Sequence, residues 1–129
     1  MRHDVLADVL SAIKMIRAKG RSEIVVKPIS KVVIAVLELL KKEGYINNFE
    51  LIKDGRGDQA KIVLSNTIND IGVIKPRFPV TLKEFEKYER RYLPAKDFGM
   101  LIVSTSKGIM SHIDAKKIRQ GGVLLAYVY

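Results

Sequence analysis

The chain has 129 residues, with 23 Lys and Arg against 14 Asp and Glu and a formal net charge of +9. This length and a hydrophobic fraction of 47% exclude a disordered chain and suit one domain, or two very small ones sharing an interface. The absence of cysteine excludes disulfides, thiolate zinc sites and a cysteine nucleophile, and apolar runs such as residues 32–37 are far too short to cross a membrane.

The opening MRHDVLADVL carries acids where a signal peptide would hold its apolar stretch, so the expectation is a soluble cytoplasmic protein. Val5, Leu6, Val9, Leu10, Ile13 and Ile16 recur at helical spacing. They predict a first helix, capped by Asp4 and ended by Gly20. Lys14, Arg17, Lys19 and Arg21 load its C-terminal end with positive charge that complements the helix dipole. Residues 23–27 (EIVVK) read as a short strand, broken by Pro28. Ser30 then caps a second helix running from Lys31 to about Glu43, with Val33, Ile34, Leu37 and Leu40 inward and Gly44 as terminator. Residues 46–53 alternate as a strand, residues 54–58 (DGRGD) form a turn, and residues 60–64 return as its hairpin partner.

A polar, turn-rich stretch at residues 66–72 marks the expected junction, dividing the chain into domains 1–65 and 66–129. Beyond it, residues 73–75 and 78–81 read as strand pieces interrupted by Pro76 and Pro79. Residues 82–92 (LKEFEKYERRY) read as a charged helix limited by Pro94. A strand over 100–104, a short helix over 111–119 and an apolar strand over 123–129 complete the chain. The expected class is α+β, with two small packed domains: an N-terminal αβαββ unit and a mainly β C-terminal unit with short helices.

The charge excess is spread evenly. Residues 1–65 carry 12 basic and 8 acidic side chains, and residues 66–129 carry 11 and 6. That describes a folded basic surface open to a polyanionic partner along both halves, not a basic tail. Catalytic patterns are weak. His3 and His112 are the only histidines, and Asp114 follows His112 by two positions, which do not share a helix face. No His and acid cluster has metal-ligand spacing. The stretch STSKG at residues 104–108 is phosphate-loop-like in composition, but it lacks the glycine that precedes lysine in a nucleotide-binding loop. Its hydroxyls, its backbone amides and Lys107 suit contacts to RNA sugar and phosphate. A small phosphoesterase using Ser106, Lys107 and His112, and a non-specific DNA-binding protein, are the alternatives.

STSKGIM, then Asp114-Ala115-Lys116-Lys117, then Gly121-Gly122 and a closing apolar strand resemble the signature of the ribosomal protein S8 family. The resemblance covers the whole chain. DVLADVLSAIK is similar to the family's opening helix, Ser30-Lys31 to the start of its second helix, and LPAKDFG with Lys75-Pro76-Arg77-Phe78 to its archaeal and eukaryal branch. The resemblance implies a two-domain α+β protein of the cytoplasmic small ribosomal subunit, without enzymatic activity or cofactor. It implies binding to the central domain of small-subunit rRNA, a role in organising the platform during assembly, and neighbouring ribosomal proteins as partners. Its own messenger is a further candidate partner, since bacterial members repress their operon by binding a similar RNA. The implied RNA-binding residues are Ser104, Thr105, Ser106, Lys107 and Gly108, with Gly121 and Gly122 beside them. Ser30, Lys31, Asp4 and Lys14 are secondary candidates. Val123 stands where bacterial members commonly have Glu, so no carboxylate contact carries over there. Gly121 and Gly122 are expected to allow close backbone approach and unusual φ values, and Gly122→Leu to weaken RNA binding while leaving the fold largely intact.

Overall fold

The computed structural model describes residues 5–27, 29–53, 58–95 and 98–129. Asp4, Pro28 and residues 54–57 of the expected turn lie outside them. The chain divides into two compact units, Met1–Ile68 and Asn69–Tyr129.

The first unit runs α1 (Val5–Ala18), β1 (Glu23–Val26), α2 (Lys31–Lys42), β2 (Ile46–Ile52) and β3 (Gln59–Leu64). Both helices bury one stripe at the same spacing: Leu6, Val9, Leu10 and Ile13 in α1, then Val33, Val36, Leu37 and Leu40 in α2. The strands form an antiparallel sheet in the order β1-β3-β2. Alternation along β3 turns Ala60, Ile62 and Leu64 inward, while α1 packs on β1, α2 on β2 and the helices on each other. Each fully buried Leu, Ile or Val contributes roughly 1.5–3 kcal/mol relative to exposure. The stretch after β3, which leads into the expected junction, is fastened to the first unit. The Ser65 and Thr67 hydroxyls donate to the Gly44 carbonyl at 2.9 and 2.8 Å, and Arg17 Nε donates to the Ile68 carbonyl at 2.7 Å.

The second unit contains β4 (Ile71–Val73), β5 (Pro79–Val80), one 3-10 turn (Leu82–Glu84), α3 (Phe85–Tyr92), β6 (Met100–Thr105), β7 (Gly108–Ser111), α4 (His112–Lys117) and β8 (Gly122–Val128). β8 is the hub of its sheet. β4 and β5 pair with its two ends along one edge, β6 pairs with the other edge, and β7 extends the sheet beyond β6. Tyr129 and Asp70 lock the strand ends, since the Tyr129 amide donates to the Asp70 carbonyl and the Asn69 and Asp70 amides donate to the Tyr129 carbonyl. Ile74, Val80, Phe85, Tyr88, Leu93, Leu101, Val103, Ala115 and Leu124 form its core.

Several local expectations shift. The first strand piece lies two residues earlier than expected and the second is shorter, because each is set by its pairing with β8: Ile71 with Val128 and Pro79 with Val123. Gly72, read as part of the junction, is in β4. The charged helix begins as a 3-10 turn, where the Glu84 carboxylate accepts both the Thr81 amide and the Thr81 hydroxyl at 3.0 Å. The largest difference is at residues 108–111. The sequence suggested an open loop running straight into a helix, and the chain instead forms β7, antiparallel to β6. Among the described residues no helix is long and apolar enough to cross a membrane, and no group of His, Cys, Asp or Glu is placed to hold a metal ion.

Candidate nucleic-acid interface

β6 and β7 make the STSKG stretch a hairpin with Ser106 and Lys107 at its tip. Thr105 pairs with Gly108 across the turn, and its hydroxyl donates to the Gly108 carbonyl at 2.9 Å while accepting the Lys107 amide at 3.1 Å. Thr105 therefore builds the tip. Gly108 has φ +119°, a conformation that side chains resist, and a Cβ there would touch nothing, so the backbone angle alone demands glycine. Ser106 and Lys107 are left exposed, and Ser104 is half-buried beneath them.

α4 delivers the second part of the surface. Ser111 caps it by accepting the Asp114 amide at 3.2 Å. At its C-terminus the Gln120 amide donates to the Ala115 carbonyl and the Arg119 amide to the Lys116 carbonyl, with Arg119 at φ 56°. That is a Schellman ending with arginine in the position glycine usually takes. The chain then places Gln120 beside the hairpin, where the Ser106 hydroxyl donates to the Gln120 side-chain oxygen at 3.2 Å.

The paired glycines serve this packing in a way the sequence did not reveal. Neither has a positive φ. A Cβ on Gly122 would collide with the Ser104 carbonyl of β6, and one on Gly121 with the Val80 carbonyl of β5. The expectation of unusual φ values is therefore corrected, as is the expectation that Gly122→Leu spares the fold. Both glycines let backbone approach backbone inside the sheet. Val123, next in β8, pairs with Ser104 on one side and Pro79 on the other.

A polar cluster with one buried member, His112, joins α4 to β6 and α3. His112 is 3% exposed, its Nδ1 accepting the Leu101 amide at 3.0 Å and its Nε2 lying 2.8 Å from Glu89 on α3. Lys116 donates to the same Glu89 oxygen. With both ring nitrogens engaged, His112 does not serve as a base for Ser106, whose hydroxyl is turned to Gln120. His112 is a polar residue on the last helix, and it is buried in the core.

The structure thus gathers Ser104, Thr105, Ser106, Lys107, Gly108, Gly121 and Gly122 in the second unit. Ser30, Lys31 and Lys14 belong to the first unit, and Asp4 lies outside the described residues. The Ser30 side chain caps α2 by accepting the Val33 amide at 3.3 Å, which is a structural duty. Lys31 opens α2 and is exposed, as is Lys14 on α1. Sequence reasoning missed Gln120, whose signal was faint: a short basic helix followed by a glycine pair, with no glycine at the position that ends the helix.

A family model described as "Ribosomal protein S8" matches residues 4–129. The chain is similar to proteins named "Small ribosomal subunit protein uS8" from Thermoplasma volcanium (54% identical), Archaeoglobus fulgidus (50%) and Nanoarchaeum equitans (48%). Each of these alignments spans 129 residues and the whole of both chains.

Proposed function

The chain belongs to the ribosomal protein S8 family, and we propose that it is a structural constituent of the small ribosomal subunit that binds the central domain of small-subunit rRNA through the β6–β7 hairpin and the Gln120–Gly122 segment. It works in the cytoplasm, within the ribosome, with neighbouring ribosomal proteins as partners and no catalytic turnover. The observation that carries the reading is the hairpin tip itself. On a two-residue turn the exposed Ser106 bonds Gln120, and the exposed cations Lys107 and Arg119 are its and Gln120's chain neighbours. Among the described residues neither cation is held in an ion pair. Such a surface presents short donors to sugar and phosphate, with point charges at its rim.

Footprinting and titration of the purified protein on a central-domain rRNA hairpin, without added metal or nucleotide, test it. Protection of an irregular helix with tighter binding than to duplex DNA is the expected result. Equal affinity for both, or turnover of a phosphoester, overturns it. The protein's own messenger is a second proposed target, and it should compete with the rRNA hairpin for the same surface.

A further inference from the structure

The Leu101 amide donates to His112 Nδ1 at 3.0 Å. A ring nitrogen that accepts carries no proton, so the single ring proton is on Nε2, from which it is donated to Glu89 Oε1 at 2.8 Å. The imidazole is therefore neutral and in one tautomer. The Lys116 ammonium, one turn along α4, donates to the same oxygen at 2.5 Å. One ring thus ties together β6, α3 and α4.

The charged groups around it are few. On α3, Glu86 and Arg90 pair with each other at 2.9 Å on the exposed side. On α4, Asp114 and Lys117 lie 3.9 Å apart. β6 and β7 carry no titratable side chain. On β8, Tyr127 pairs in register with Leu101, and its phenol donates to Asp70. Protonating the ring would set its Nδ1–H against the Leu101 N–H, donor against donor, in a buried place. Glu89 would attract the positive ring, but Lys116 already balances its charge. The lost hydrogen bond therefore sets the direction.

We propose that His112 is a positioning residue for the hairpin surface and an acid-sensitive latch. Neutral, it holds α4 against β6 and α3, so that Arg119 and Gln120 meet the hairpin tip. Protonated, it lets α4 shift, Gln120 leaves Ser106, and RNA affinity falls. The affinity part of this rests on the RNA-binding reading above; the tautomer and the latch do not.

Two measurements on the full chain test it. Nitrogen NMR of the imidazole reads the tautomer, and the Leu101 amide signal reports the latch as pH falls. In parallel, binding of a central-domain rRNA hairpin is titrated from about pH 7.5 to about pH 5.5 at fixed salt, for wild type and for His112→Asn. The Asn side-chain oxygen can take over from Nδ1 but does not titrate. A single Nε2–H tautomer is expected, with the Leu101 amide signal moving as the ring protonates. Wild-type affinity should drop roughly tenfold across the range, with the variant changing less than about threefold. Superimposable pH profiles for the two proteins, or a ring that protonates with no change at Leu101, overturn the proposal. If RNA is bound at no pH, the functional reading fails, and the two NMR observables still judge the latch on their own.

Discussion

The Ser106 hydroxyl donates to the side-chain oxygen of Gln120 across 3.2 Å, so the hairpin tip and the turn that ends α4 act as one surface. On the RNA-binding reading proposed above, Ser106 reads local groove shape on a short tether, whereas Lys107 supplies a flexible charge to phosphate in any RNA. Ser106→Ala should cost about 1–3 kcal/mol on the cognate rRNA hairpin and little on unrelated RNA. Lys107→Ala should weaken both alike and lower the salt slope by roughly one phosphate contact. Titrations of both variants on both RNAs at several salt concentrations check this. Equal losses for Ser106→Ala on the two RNAs would reduce the tip to an electrostatic anchor.

Arg119 occupies a left-handed conformation that costs a non-glycine residue roughly 1–2 kcal/mol. Arg119→Gly should therefore raise stability by about 1 kcal/mol in thermal or denaturant unfolding. The same variant should bind rRNA more weakly, with a salt slope smaller by roughly one contact. A gain in stability without any loss of binding would show that the arginine is there for some other reason.

Gly122 is a packing glycine. The added Cβ of Gly122→Ala already meets the Ser104 carbonyl, and Gly122→Leu adds bulk between paired strands. We expect Gly122→Leu to lose about 2–3 kcal/mol or more. Melting curves read this directly. A wild-type melting temperature for Gly122→Leu would mean that β6 and β8 separate easily, against the packing described here.

The Glu84 carboxyl is held below its ordinary value of 4.5, first by the Thr81 amide and then by the Thr81 hydroxyl. A carboxylate with a lowered folded value adds stability in full above its unfolded value, and that contribution disappears as pH falls through the folded one. Glu84→Gln should therefore melt below wild type near neutral pH. The gap should close as pH drops below about 4. A gap independent of pH would place the effect elsewhere than in this carboxylate.

The helices of the first unit were legible because apolar spacing at i, i+3, i+4 and i+7 needs no partner to be recognised, as in Leu6 to Ile13 and Val33 to Leu40. The surface residues Ser104 to Gly108 and the glycine pair were found through motif resemblance. What they do within the fold was hidden, because it depends on non-local pairing. β7 is short, and Gly108-Ile109-Met110-Ser111 acquires its meaning only opposite Ile102 to Thr105. The demand for glycine at position 122 comes from a carbonyl 18 positions earlier in the chain, at Ser104. The burial of His112 was hidden for the same reason, since its partners Glu89 and Leu101 are distant in sequence.

The hub position of β8 has a consequence for synthesis. β4, β5 and β6 all depend on a strand that follows them in the chain, and pairs such as Ile71 with Val128 span nearly the whole second unit. Such long-range closure is slow compared with helix formation. A nascent chain therefore exposes three unsatisfied strand edges until residues 122–128 emerge and slot between them. The Gly121-Gly122 segment is assembled in that same event, so the surface we propose for RNA is complete only once the sheet is.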